Sequence, residues 1–123
     1  LRCLVGSEMC IRDRTNRSKN PMVGKTLPLS HELFDFAETI FDVLESRQVT
    51  LSKKGEDKGV RLSFEGFPYL IVWSKPEGDF VAVEPWGGLS TCSDEDDILE
   101  HKRGCLVAKP GETVTRGFEI EIL

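Results

Sequence analysis

The sequence lacks the features that mark several large classes of protein. Its 123 residues contain no apolar run near the ~18 residues that a membrane-crossing helix needs. Only two histidines and four cysteines are present, and they match no zinc-binding or redox spacing. A glycine-rich phosphate loop and a serine nucleophile elbow are both missing. These absences argue against a membrane protein, a zinc protein, a P-loop nucleotide-binding protein and a serine hydrolase.

The first residues match a sequence of a kind that is not expected in a native protein. The stretch Leu4 to Asp13, LVGSEMCIRD, is what a common transposase-type sequencing adapter encodes in one reading frame. We therefore expect residues 1–14 to be a non-native, adapter-derived tail and residues 15–123 to be native sequence. A gene that was cut at the edge of a library insert would also lack native sequence upstream. We accordingly predict that 15–123 is the C-terminal portion of a longer domain.

Acidic residues outnumber basic ones, and this restricts the classes of binding partner that we expect. The chain has 16 basic and 21 acidic residues, for a formal net charge of −5. An acidic chain does not favour nucleic acid or an anionic membrane surface, because both repel negative charge. Outside the tail the cysteines are Cys92 and Cys105, and two thiols without a disulfide framework favour a reducing, cytoplasmic location. The acidic run SDEDDILE at 93–100 has no glycine where a calcium loop needs one, so we predict a solvated loop or the start of a short helix, and no metal.

From residue 48 onward the pattern is that of short β-strands separated by turns. YLIVW at 69–73 is apolar on both faces, which predicts a central strand covered on both sides. KPGE at 109–112 has the order of a type II turn. The other predicted strands are 48–53, 60–64, 80–83, 105–108 and 113–122. Six or so such strands predict an all-β, antiparallel sandwich or barrel.

The segment before these strands has two interpretations. Apolar residues in PLSHELFDFAETIFDVL, 28–44, recur at close to helical spacing, with Ser30 as a possible N-cap. A short helix or irregular loop over 31–37 followed by a strand near 39–43 fits the same residues. The sequence leaves both open.

The stretch DFVAVEPWGG, 79–88, places a carboxylate where a turn residue is expected. Phe80, Ala82 and Glu84 share one face of a strand, and Pro85 predicts that pairing stops after Glu84 because it has no N–H to donate. A half-desolvated carboxylate is a stronger base than a solvated one. Trp86 adds a flat apolar wall of the kind on which sugar rings stack. The alternative is a strand-end carboxylate beside a core tryptophan.

Most of the chain from residue 27 resembles a known family. The stretches LPLSHELFD, SRQVTLSKKG, GFPYLIVWSKPEGDFVAVEPWGGLS and HKRGCLVAKPGETVTRGFEIEI resemble the C-terminal part of the aldose 1-epimerase (galactose mutarotase) family, and within it the LacX-like subgroup. The resemblance implies a galactose-mutarotase-like antiparallel β-supersandwich of more than twice this length. It also implies interconversion of the α and β anomers of a free hexose, without a metal or an organic cofactor.

The resemblance implies roles for particular residues. The family's general base matches Glu84. Our own expectation is that Trp86 and Trp73 line the sugar site, with packing in the core as the alternative for both. A substrate-binding aspartate of the family falls near Asp35, although Glu38 is an alternative. The family's acid is a histidine upstream of the matched region, so we expect the chain alone to be nearly inactive. Two other functions stay open, a non-catalytic carbohydrate-binding sandwich and a sugar-phosphate relative whose basic residues would be Lys75, Lys102 and Arg103.

Overall fold

The structure is a computed structural model that describes residues 2–3, 9–10, 17–18, 20–35, 38–90, 94–96 and 98–123, with side chains from residue 20 onward. Most of the adapter-like stretch lies outside the described residues, as does Cys92. The non-native origin of 1–14 and the boundary at residue 15 therefore stay predictions.

The described residues are all-β, as predicted. They form nine strands: β1 (Arg2–Cys3), β2 (Met9–Cys10), β3 (Arg17–Ser18), β4 (Thr39–Phe41), β5 (Gln48–Ser52), β6 (Gly59–Ser63), β7 (Tyr69–Trp73), β8 (Ala82–Trp86) and β9 (Glu119–Ile122). A 3₁₀ turn lies between β3 and β4 at His31–Phe34, and another lies between β8 and β9 at Leu99–His101. One antiparallel sheet has the order β1-β5-β6-β9, and the other has the order β3-β2-β4-β7-β8.

The main hydrophobic core takes side chains from both sheets. Phe41, Leu70 and Val72 come from the five-stranded sheet, and Val49 and Leu62 come from the four-stranded one. Loop residues complete the cluster: Leu27, Phe34 and Phe64. Burying one such side chain contributes about 1.5–3 kcal/mol, so this cluster is the chief stabilising feature of the fold.

The central strand β7 is covered on both faces, as its sequence predicted. Leu70 and Val72 point into the main core, whereas Ile71 packs in a second cluster with Ile40 and Leu89. Leu70, Ile71 and Val72 are all fully buried. Tyr69 and Trp86 pack against the second cluster, which lies on the outer face of the five-stranded sheet.

The segment before β5 follows the second of its two interpretations. A 3₁₀ turn occupies 31–34 and β4 follows, so one continuous helix is wrong. Thr39, Ile40 and Phe41 are each about 1% exposed, and all three pair with β7. Burial on both faces outweighs helical spacing here because a helix would bury only one stripe of these side chains.

Three predicted strand limits were also wrong. The strand expected over 80–83 runs instead from Ala82 to Trp86, and Pro85 pairs opposite Leu70. Within the described residues β8 is the edge of its sheet, so a residue without an N–H can be accommodated there. Residues 105–108 form no strand, and Leu106 and Val107 are about half exposed. The last strand is shorter than expected and leaves Phe118 outside it.

The KPGE turn has the predicted geometry. The Glu112 N–H donates to the Lys109 carbonyl at 2.9 Å, and Gly111 has a φ of 83°. A positive φ at the third position defines the type II turn and favours glycine there. This turn leads into the segment that ends in β9.

Candidate functional site

The register of β7 and β8 brings the candidate residues to one face. Tyr69 lies opposite Trp86, Ile71 opposite Glu84, and Trp73 opposite Ala82. Directly opposed residues in an antiparallel pair project from the same side of the sheet. Glu84 and both tryptophans therefore share the outer face of the five-stranded sheet, away from the main core.

Glu84 is held by the two tryptophans. The Trp73 indole N–H donates to Glu84 Oε1 at 2.8 Å, and the Trp86 indole N–H donates to Oε2 at 2.9 Å. Each carboxylate oxygen thus has one fixed donor, which sets the plane and direction of the group. An ionised carboxylate has about four acceptor positions, so about two stay open to a ligand or to water. We call these three side chains the carboxylate clamp.

An apolar surface borders the carboxylate clamp. The Phe80 ring meets the Trp73 ring edge to face, with centroids 5.4 Å apart and an interplanar angle of 89°. Phe80 is 51% exposed and Trp73 is 37% exposed. Trp86 is half-buried because it also packs on the second cluster. The exposed ring surface beside Glu84 therefore comes from Trp73 and Phe80 rather than from Trp86.

The described contacts do not bring Asp35 to Glu84. Asp35 is exposed and ends the 3₁₀ turn, with its N–H donating to the Glu32 carbonyl at 3.4 Å. Its role in substrate binding stays a prediction, as does that of the alternative residue, Glu38.

The chain's two histidines lie in described segments, where each contacts a partner other than Glu84. His31 Nδ1 contacts the Pro76 carbonyl, and His101 Nδ1 lies 2.7 Å from Asp96 Oδ2. The His101 ring and the Ile98 N–H hold the pKa of Asp96 below its usual value, because both stabilise the ionised carboxylate. In the described residues neither histidine is placed on Glu84.

The basic residues named for a sugar-phosphate ligand are largely neutralised. Arg103 Nη2 lies 2.5 Å from Asp94 Oδ2, and Lys102 Nζ lies 3.7 Å from Glu95 Oε2. Lys75 is exposed on the turn before Phe80. In the part of the chain that the structure describes, no group of histidine, cysteine and acidic side chains could hold a metal ion. In the same part, no helix has the length and apolarity to cross a membrane.

An open cleft of about 330 Å³ adjoins the apolar surface without including Glu84. Phe80, Ser74, Phe34 and His31 are among its lining residues. Because Phe80 contacts both this cleft and Trp73, it connects the cleft to the carboxylate clamp. The strand pattern identified Phe80 as a neighbour of Glu84 but assigned it no role.

The indole bonds to Glu84 were not predicted, although part of the signal was there. Trp86 lies two residues after Glu84, and this spacing places both on one face of a strand. Trp73 is 11 residues before Glu84, and only the β7–β8 register brings it there.

Comparison with solved structures defines the class of fold. The chain is similar to the X-ray structure of a galactose mutarotase related enzyme from Lactobacillus acidophilus, with a TM-score of 0.77 and 28% sequence identity. The match covers 95% of this chain and 42% of that one. The predicted galactose-mutarotase-like β-sandwich architecture is therefore confirmed.

Particular relatives are found among curated proteins. The chain is 40% identical over 114 residues to the plasmid-encoded and the chromosomal LacX proteins of Lactococcus lactis subsp. lactis. The match covers 92% of this chain, and the chain spans 37% of the length of these relatives. No family model matches the chain. The chain is thus similar to the LacX proteins and to a galactose mutarotase related enzyme, in agreement with the family resemblance that its sequence motifs predicted.

Proposed function

We propose that the protein to which this sequence belongs interconverts the α and β anomers of a free hexose, with Glu84 as the general base. The observation that carries the proposal is the carboxylate clamp. A general base must be oriented and accessible to its substrate, and the two indole bonds fix the direction of the Glu84 carboxylate. The Trp73 and Phe80 rings supply an apolar surface of the kind that sugar rings stack on.

The proposed reaction needs one base and one acid on the sugar. Glu84 takes the proton from the hydroxyl on C1 while an acid donates a proton to the ring oxygen. The bond between C1 and the ring oxygen breaks and leaves an open-chain aldehyde. Rotation about the C1–C2 bond and the reverse proton transfers then close the ring as the other anomer. The two groups must have matched pKa values so that each can give and take the proton.

The acid is the part of the site that these residues do not supply. Neither His31 nor His101 is placed on Glu84 in the described structure. We therefore propose that the acid comes from a region of a LacX-length protein that this chain does not match. The 123-residue chain alone should accordingly show little catalysis. We also propose a cytoplasmic protein that binds sugar and binds neither nucleic acid nor a membrane.

The test begins with the DNA upstream of codon 15, read from an adapter-free source. The complete gene product is then assayed by polarimetry with freshly dissolved glucose and galactose. Glu84→Gln should lower the rate of mutarotation at least a hundredfold, because a positioned base contributes about 10²–10⁴-fold. Glu119→Gln, a change at an exposed strand glutamate, is the matched control and should leave the rate unchanged. Full activity in Glu84→Gln would exclude Glu84 as the base.

A non-catalytic sugar-binding protein is the second candidate, because the Trp73 and Phe80 surface needs no acid to bind a sugar. It predicts saturable binding that survives Glu84→Gln and no acceleration of anomer exchange. Tryptophan emission during a sugar titration, measured beside polarimetry on the same samples, separates the two functions.

A further inference from the structure

A second open cleft, of about 420 Å³, contains two arginines. Its lining residues are Arg47, Gly66, Phe67, Pro68, Gly104, Cys105 and Arg116. The guanidinium carbon of Arg116 lies 5.7 Å from the centre of the Phe67 ring. The same guanidinium packs so close to Gly87 that a side chain there would displace it. The cleft, which we call the arginine cleft, therefore borders the turn that follows Trp86.

These arginines differ from the others whose side chains are described. Arg61 is bound to Glu121, and Arg103 is bound to Asp94. Among the described residues, Arg47 Nη1 is buried and has no hydrogen-bond partner. Arg116 contacts an aromatic ring instead of a carboxylate. Among the arginines whose side chains the structure describes, the two without an acidic partner thus occur in the same cleft.

Two such cations in one cleft are costly unless an anion joins them. A buried guanidinium nitrogen without an acceptor loses the hydrogen bond that water would give it, and like charges repel. Guanidinium groups match the oxygens of a phosphate group, because their planar N–H groups can donate in pairs. The whole chain carries a net charge of −5 and so has no general attraction for anions. Phosphate binding in this cleft would therefore have to come from the two guanidinium groups.

We propose that Arg47 and Arg116 form an oxyanion-binding site for a phosphate group. Two ligands share this chemistry, free inorganic phosphate and the phosphate group of a phosphorylated hexose. The site is independent of the role proposed for Glu84, because neither arginine belongs to the carboxylate clamp. The sequence suggested Lys75, Lys102 and Arg103 as the basic residues for a sugar phosphate. The proposed site places the phosphate group on Arg47 and Arg116 instead.

Calorimetric titration of the 123-residue chain tests the proposal. Inorganic phosphate is titrated at constant ionic strength, with chloride as the balancing salt. Arg47→Gln and Arg116→Gln should each weaken phosphate binding at least tenfold. Arg61→Gln is the matched control, because that arginine already has Glu121, and its phosphate affinity should equal that of the parent chain. Equal weakening in all three variants, or parent affinity in both cleft variants, would overturn the proposal.

A second measurement needs no variant. Cys105 lines the arginine cleft, so its alkylation reports on the same place. The labelling rate with anionic iodoacetate, divided by the rate with neutral iodoacetamide, should be higher for Cys105 than for free cysteine. Phosphate should lower this ratio at Cys105. Peptide mass spectrometry separates Cys105 from the other cysteines. Absence of a preference for iodoacetate, or equal suppression by chloride, would overturn the proposal.

The same titration separates the two sources of phosphate. Glucose 6-phosphate that binds at least tenfold more tightly than inorganic phosphate would identify a phosphorylated sugar as the ligand. Equal affinity for the two would identify the site as one for free phosphate. Either result supports the oxyanion site, and neither affects polarimetry of a free hexose. The proposed function and this inference can therefore fail separately.

Discussion

The carboxylate clamp makes a quantitative prediction about stability. A hydrogen bond to a charged group contributes about 1.5–3 kcal/mol when it is sheltered from water. Trp73 is 37% exposed and Trp86 is half-buried, so water replaces part of each bond when it is lost. We therefore assign about 1 kcal/mol to each indole bond in the clamp.

Glu84→Gln should remove one of these bonds and weaken the other. Glutamine has one acceptor oxygen, so one indole N–H would face an amide that also donates. The free energy of unfolding should fall by about 1 kcal/mol, which corresponds to a decrease in Tm of about 4 °C for a domain near 100 residues. Glu84→Ala leaves both indoles without this acceptor and should cost about 2 kcal/mol.

The assay uses a property of the composition. The chain has two tryptophans, and both donate to Glu84, so all tryptophan emission comes from the clamp. Urea unfolding followed by circular dichroism gives the stability, and the native emission spectrum reports the clamp itself. Glu119→Gln on β9 is the control and should change neither quantity. In a double-mutant cycle, Trp73→Phe and Glu84→Gln should couple by about 1 kcal/mol.

One outcome would refute this reasoning. If Glu84→Gln leaves both the urea midpoint and the native emission spectrum unchanged, the indole groups do not hold the carboxylate in solution. Zero coupling in the cycle would lead to the same conclusion for Trp73 alone. The orientation argument for a general base would then lose its structural support.

Two further predictions concern a loop glycine and an acidic loop. Gly104→Ala should lower the free energy of unfolding by more than Gly111→Ala in urea titrations. Both glycines have a positive φ, which alone costs about 1 kcal/mol for alanine. Only at Gly104 would the new Cβ also lie 2.5 Å from the Tyr69 ring. His101→Gln should raise the pKa of Asp96 towards its ordinary value in a carboxyl NMR titration, because the imidazole contact lowers it. Since the folded-state pKa of Asp96 is the lower one, its contribution to stability is present above the unfolded pKa and is lost as pH falls through the folded value. Equal losses for the two glycines, or an unmoved Asp96 titration, would contradict these assignments.

Local patterns predicted the strands that are buried or that alternate cleanly. β5, β6 and β7 were found to within a residue because their apolar spacing and their pairing favour the same structure. CLVA at 105–108 failed because apolar character alone does not make a strand, and no partner strand pairs with it in the described structure. β8 was placed too early because an edge position tolerates Pro85, and edge position is a property of the sheet.

The candidate site was predictable only as far as neighbours along the chain. Glu84 and Trp86 share a face by spacing, and their selection came from motif resemblance. The clamp also needs Trp73, which the pairing of two strands brings into contact. The arginine cleft joins residues 69 positions apart, Arg47 and Arg116, and no local pattern links them.

The two-sided burial of β7 restricts how this protein can change. The face that carries Glu84 takes the side chains of Tyr69, Ile71 and Trp73. The main core takes those of the residues between them, Leu70 and Val72. Inserting or deleting one residue in β7 would exchange the two sets, sending the clamp's tryptophan inward and core side chains outward. Variation that tunes the Glu84 face is therefore confined to alternate positions of this strand. A change in its length would cost the fold and the clamp together.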